Sequence, residues 1–532
     1  SADTTITNAY KSNLTTRGTG SNMGRADSLE IFSIYAQESS GSSELSRALL
    51  KFPTDTITAD RAAGTIPASG SVSFYLRMFN ATTPFTLPRD FTLQVQAISG
   101  SHDSNTPKQL DFTWQEGNGK DMENYTDVTR DGIGANWVNP GSSSTDGVIK
   151  WGIQTSTAAG GAYFNDTSSS FTQTFDDGTE NLEINITELV EQWVNSSGNV
   201  LGSKTDYGVG VKLTGSQEAY VATADASANV PANTAGARRS YYTKKFFARS
   251  SEFFFKRPVL EARWEDTKKD DRGNFFYSSS LSTAKENLHT LYLYNYHRGI
   301  LRNIPDLTNN IIYVGFFSGS ADNSAPAGSE ILLVRDNAHV NDASKVYATG
   351  GLSSQTGIYT CSVALTAAAS PLTTVFDVWK SAYNGTQYWT GSFSPVKLDL
   401  STENPSTEFV TNVTNLKPLY NRSETARFRV FTRQKDWNPT IYTKAVATTT
   451  PFIVESGSYS VARVIDGVEA VPYGTGSDLH TMMSFDVSGS YFDLDMSILE
   501  PGYAYRVKFA YYNGSVGDWQ EQPQEFKFRV ED

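Results

Sequence analysis

Short runs in which apolar and polar residues alternate strictly, each closed by Gly, Ser or Asn, recur along most of this chain. They constrain its fold more than any other feature. Ser71-Val72-Ser73-Phe74-Tyr75-Leu76-Arg77, Phe91-Thr92-Leu93-Gln94-Val95-Gln96 and Gly208-Val209-Gly210-Val211-Lys212-Leu213 all repeat with period two. That period puts every second side chain on one face of a strand, so each run predicts a half-buried strand. Thr187–Trp193 departs from the pattern: Leu189, Val190, Trp193 and Val194 share one helical face, Thr187 is placed to cap the start, and the helix is expected to end near Gly198. The fold class expected is therefore all-β, an N-terminal sandwich with one short helix followed by further sandwiches.

At 532 residues the chain is too long for one core and should divide into several folding units. The first unit is expected over residues 1–265. Residues 266–285 read as a linker, because Lys268, Lys269, Asp270, Asp271 and Arg272 followed by Ser278-Ser279-Ser280 offer little to bury. Second and third β units are expected over 286–400 and 401–532. Strands are placed at Leu291–Tyr296, Ile311–Phe317, Ala426–Phe431 and Tyr503–Tyr511. No fixed-period repeat is present, which argues against a solenoid or a fibrous shaft.

The net charge of −13 disfavours nucleic acid as a partner, since a phosphate backbone rewards a basic face. No apolar run approaches the length of a membrane span, and no signal segment is visible, so no membrane partner is expected. Cys361 is the single cysteine, which excludes an intrachain disulfide and points to folding in a reducing compartment. In an alternating strand it reads as a small buried apolar residue.

Catalytic constellations are thin. His289 and His297 stand eight apart, His102, His339 and His480 are isolated, and no H-E-x-x-H, G-x-S-x-G or Walker A pattern occurs. The chain is read as a non-enzyme. Asp176-Asp177 and Asp493-Leu494-Asp495 offer hard oxygen ligands of the kind calcium takes, but acidic turn residues are ordinary solvated punctuation; no cofactor is expected, with calcium the one alternative.

The sharpest charge feature is the basic run Arg238, Arg239, Lys244, Lys245, Arg249, Lys256 and Arg257, interleaved with Tyr241, Tyr242, Phe246 and Phe247. It reads as a contact for an acidic neighbouring subunit, with DNA or an anionic glycan as the lesser alternatives, against the plainer reading of a strand edge guarded by lysines. Trp389 and Trp519 are candidates for stacking on sugar rings, with core filling as the alternative.

Four stretches in the first 265 residues, in order, are similar to the DNRLRE family of jelly-roll-like β-sandwich modules: Thr4–Tyr10 with Ser21–Gly24, Ser46–Phe52, Ile184–Trp193, and Phe247–Ser251 with Arg257–Trp264. The resemblance implies a jelly-roll-like sandwich in which Leu49, Leu50 and Trp193 are core. The signature that gives the family its name does not occur intact, so its ligand chemistry is not carried over. Leu499–Tyr505 resembles the tyrosine-corner approach of fibronectin type III domains, and Thr356–Cys361 resembles the immunoglobulin strand ending in Y-x-C; together they imply two Ig-like sandwiches. Residues 245–300 resemble virion proteins of marine tailed bacteriophages. That resemblance implies a structural component of a phage particle (capsid decoration, head fibre, neck or tail) in symmetric or homo-oligomeric contact with other virion proteins. The alternative is a carbohydrate-binding adhesin, at a cell surface or secreted, that recognises an acidic host polysaccharide.

Overall fold

The computed structural model describes the chain except residues 36–42, 84–86, 100, 104–108, 111–112, 124–133, 144–146, 152–158, 195–203, 226, 306, 332, 336–346, 354, 367–371, 398–407, 436–440, 442–450 and 515. The protein is all-β and built of several packed sheets, with two α-helices, Asp55–Ala63 and Thr187–Val194, among the described residues. Two compact units divide it, Ser1–Trp264 and Glu265–Asp532.

In the first unit the strands Ser170–Phe175, Phe91–Ala97, Val209–Leu213, Ser43–Lys51, Ser28–Tyr35 and Tyr241–Phe247 lie side by side in that order, and Ala2–Thr7 also pairs with Ser43–Lys51. A smaller sheet of Leu182–Asn185, Ser73–Met78 and Val259–Arg263 faces it. The alternation does what period two requires: Phe91, Leu93 and Val95 are fully buried while Thr92 and Gln94 between them stay half-exposed. Each such apolar burial is worth roughly 1.5–3 kcal/mol.

Strand Ser43–Lys51 is buried on both faces. Ala48 and Leu50 enter the core between the two sheets, whereas Leu45 and Leu49 enter a second core with Ile6, Trp114, Trp137 and Trp151. Arg47 shares that second side, held bidentate by Glu218 at 3.0 and 2.8 Å and donating to the Gly160 carbonyl at 2.8 Å. A buried arginine is tolerated here because its charge and its donors are matched.

In helix Thr187–Val194, Leu189 and Val190 are fully buried and Trp193 and Val194 half-buried against the core. Its start differs from the expectation. Asn185 Oδ1 accepts the Thr187 amide (2.9 Å) and hydroxyl (2.6 Å), and Thr187 Oγ1 accepts the Phe74 amide (2.7 Å). The capping oxygen therefore comes from Asn185, and Thr187 ties the helix to the neighbouring strand. The expected end near Gly198 lies outside the described residues.

Helix Asp55–Ala63 is an addition to the single helix expected. None of its residues is fully buried, although Ile57 packs partly buried against the core; it ends at Gly64 (φ +77°) and is tied to the other helix by Arg61, whose guanidinium meets Glu191 at 2.9 and 2.7 Å.

In the second unit, residues 266–285 do not behave as a solvated linker. Lys268 and Phe485 exchange backbone contact, with the Phe485 amide donating to the Lys268 carbonyl (3.1 Å), and Asp270 N–H donates to the Phe485 carbonyl (3.0 Å). Arg272 is buried against Asp377 and Asp270, each at 2.6 Å, and donates to the Tyr292 carbonyl at 2.9 Å. Phe275 and Tyr277 are core. A charged run is solvated only when its charges lack partners; here Arg272 finds Asp377, and Asp271 accepts the Thr290 amide at 2.6 Å.

Around Phe275 and Tyr277 lies an eight-stranded sheet in which His289–Tyr294, Ile358–Leu365, Tyr347–Leu352, Ile311–Gly319, Val375–Lys380 and Gln387–Phe393 run in sequence. Cys361 is buried in that core and forms no disulfide, and the Tyr359 hydroxyl accepts the Ile304 amide at 2.8 Å. The last part of the unit packs a four-stranded sheet, which includes Thr425–Gln434 and Gly489–Asp495, with a six-stranded one centred on Ala504–Asn513 around a shared core. Tyr505 is fully buried and its hydroxyl donates to the Glu500 carbonyl (2.9 Å) while accepting the Glu500 amide (2.8 Å), which closes the corner the sequence suggested.

Candidate docking groove

The basic run sits on and beyond Tyr241–Phe247, the outermost strand of the large sheet. Alternation along it points Lys244 and Phe246 inward, and Tyr241 outward at 65% exposure. Lys244 is consequently not a surface contact, contrary to expectation. The residue is 1% exposed, and its ammonium donates to Asn80 Oδ1 (2.8 Å) and the carbonyls of Gly178 (2.8 Å) and Glu180 (2.7 Å), with the rings of Phe175 and Phe246 about 5 Å away. Burial pushes its pKa down to about 8. Three acceptors for three protons make it a structural ammonium.

The remaining cations fall into two sets. Arg249 is held bidentate by Glu116 at 2.9 and 2.7 Å, and Arg238, exposed, lies 5.1 Å from the Tyr220 ring. Arg239 is exposed as well. Lys245, Lys256 and Arg257 are brought together in a groove of about 700 Å³ whose other walls include Phe247, Phe253, Ser28, Ala81, Asp27 and Glu252. Beside it, segment 79–81 covers half of the open strand edge, with Ala81 N–H donating to the Lys245 carbonyl (3.0 Å) and Phe247 N–H to the Phe79 carbonyl (3.1 Å). The edge is thus guarded by backbone as well as by lysines.

The groove's far wall is a local fold in its own right. Ser251 Oγ accepts the Phe253 amide (3.2 Å), the turn Phe254–Lys256 follows, and the Arg257 Nε and Nη2 return to the Ser251 carbonyl at 3.0 and 2.8 Å. Pro258, buried, then starts the next strand without needing an N–H. Phe253 and Phe254 remain 49% and 55% exposed. Phe253 packs edge-on against Phe247 (5.3 Å), the Lys256 ammonium lies 5.4 and 5.7 Å from those two rings, and Arg257 lies 5.1 Å from Phe254. Lys245 forms an exposed 3.0 Å pair with Glu30. Among the described residues Arg257 forms no ion pair.

Phe253 and Phe254 were not singled out from sequence. Three consecutive phenylalanines do not fit period two on either face, and that misfit beside Lys256-Arg257-Pro258 was the signal.

The other candidates lie in the second unit. Trp389, on the outermost strand Gln387–Phe393, is 39% exposed, but the Arg272 guanidinium lies 4.8 Å from its ring. Trp519 is half-buried and edge-on to Tyr512 at 5.7 Å. Of the histidines, His289 Nε2 accepts the Phe276 amide at 3.1 Å; the side chain of His102 and the whole of His339 lie outside the described residues. Asp493 is engaged bidentate by Arg427 (2.8 and 2.9 Å), Asp495 accepts the Ser497 amide (2.9 Å), and Asp177 lies 3.6 Å from Arg89. Among the described residues no three His, Cys, Asp or Glu are grouped to hold a metal. Nor is any described helix long and apolar enough to cross a membrane.

Fold and groove together define the class: an all-β protein of packed sheets bearing an exposed basic and aromatic recess on one sandwich. No protein-family model and no curated protein matches the chain. Among solved structures it aligns with trypsin-activated alpha-2-macroglobulin from Escherichia coli at 11% identity, over 56% of this chain and 19% of that one, with a TM-score of 0.14. The chain thus spans about a fifth of that protein's length, and a likeness of that TM-score carries no argument.

Proposed function

We propose that this chain is a non-enzymatic structural component of a bacteriophage particle that works by holding neighbouring protein subunits. The observation that carries the reading is the groove: exposed Phe253 and Phe254 stand beside Lys256 and Arg257 on a sandwich fixed from both faces of its large sheet. Exposed aromatic rings next to arginine are the composition of protein contact centres, and a rigid support lowers the ordering cost of association. The resemblance of residues 245–300 to phage virion proteins supports the same reading, as does a fold stabilised without disulfides.

A carbohydrate-binding adhesin is the second reading. It is favoured by Tyr388 and Trp389, which are 37% and 39% exposed on an outermost strand. Mass spectrometry and cryo-electron imaging of purified particles from the phage that encodes the chain test the first reading: the chain should be present at a stoichiometry set by particle symmetry. Its absence from intact particles, together with glycan binding lost in Trp389→Ala, would establish the second.

A further inference from the structure

We infer that the groove takes an acidic peptide segment of a partner protein, with one carboxylate on Arg257 and an adjoining apolar side chain against Phe253. This deepens the assembly reading and rests on it. Arg257 is the key observation. Two of its donors are committed to the Ser251 carbonyl (3.0 and 2.8 Å), which fixes the guanidinium plane. Among the described residues the charge has no carboxylate partner, unlike Arg47, Arg61, Arg77, Arg249 and Arg272, each of which is ion-paired. Because the group is already oriented, pairing it with an incoming carboxylate costs little further side-chain entropy.

The walls decide between peptide and glycan. Phe247 and Phe253 meet edge to face, and the Lys256 ammonium lies over both rings, so the aromatic surface offers edges and a charge where a sugar ring needs an open flat face. An apolar side chain packs against Phe253, 49% exposed, without such a face. Of the lining cations, Lys245 is already paired with Glu30 (3.0 Å), whereas Arg257 has no carboxylate partner among the described residues, in a chain whose net charge is −13. That oriented guanidinium favours an anionic segment and sets its direction of approach.

The test is selection of a displayed random-peptide library on the full chain, followed by titration of the enriched peptides and of polygalacturonate. Peptides carrying Asp or Glu next to a large apolar residue should enrich. Their affinity should fall about tenfold or more in Arg257→Gln and in Phe253→Ser, and decrease with added salt. Arg239→Gln, an exposed cation outside the groove, should leave it unchanged. Phe253→Ser alters no hydrogen bond of the turn's backbone, so it reports on the groove even where Arg257→Gln unsettles the turn. The inference is overturned if nothing enriches, if the enriched peptides lack carboxylates, if both variants bind as the parent does, or if polygalacturonate is the ligand those variants lose. Particles that contain the chain and still incorporate both variants normally would remove the groove's role and leave the assembly reading standing; absence from particles removes the latter alone.

Discussion

Individual charges in this protein are decided by their partners. Arg272 stands between Asp270 and Asp377, whose side chain is fully buried and also accepts the Trp379 indole N–H at 2.7 Å. Removing the guanidinium strands a buried carboxylate, so Arg272→Ala should destabilise the second unit by about 3–5 kcal/mol in urea unfolding. A loss under about 1 kcal/mol would mean that the pair is replaceable by water. Asp3 shows the opposite balance. It is 2% exposed and accepts the Arg249 amide at 2.6 Å, yet burial, with the nearby Glu116 adding to it, pushes its pKa up to about 6. The folded state therefore binds a proton that the unfolded state releases between about pH 6 and pH 4, and stability from this group rises as pH falls through that window. Asp3→Asn, which keeps an acceptor and has no charge to bury, should be more stable than the parent at pH 7 by about 1–3 kcal/mol, with the advantage fading towards pH 4.5. An advantage that is constant with pH would show that Asp3 is ionised throughout.

At the scale of elements, legibility followed burial. Phe91–Ala97 and Val209–Leu213 were readable because one face is core and the next residue is not. Helix Thr187–Val194 was readable because four apolar residues share its inner face. Helix Asp55–Ala63 was not, since no residue of it is fully buried, Ile57 alone packs partly buried against the core, and Arg61 holds it by meeting Glu191, 130 residues away. Its visible mark is Gly64, at φ +77° with open space around it. Gly64→Ala should thus cost about 1 kcal/mol through backbone strain alone, measured as a lowered unfolding midpoint with no change in slope. The groove was half legible: the cations of 244–257 were visible as a run, but which were already spent depended on Asn80, Glu116, Gly178 and Glu180. The supposed linker failed for the same reason, because the partners of Arg272 come from Asp377 and Tyr292.

For the molecule as a whole, each unit carries its own cores, and the first unit carries two that share a strand. Ser43–Lys51 has neighbours on both edges and apolar contacts on both faces. Its amides are out of reach of solvent unless both cores are breached together. In hydrogen–deuterium exchange the Ala48–Leu50 amides should therefore trade protons only through complete opening of the first unit, making this strand its slowest clock, while the exposed turn at Phe254–Lys256 exchanges orders of magnitude sooner. Isotope uptake at these three positions would then read the free energy of the entire unit directly, and any partner seated in the groove would register there as a slowing, however far from the contact it is measured.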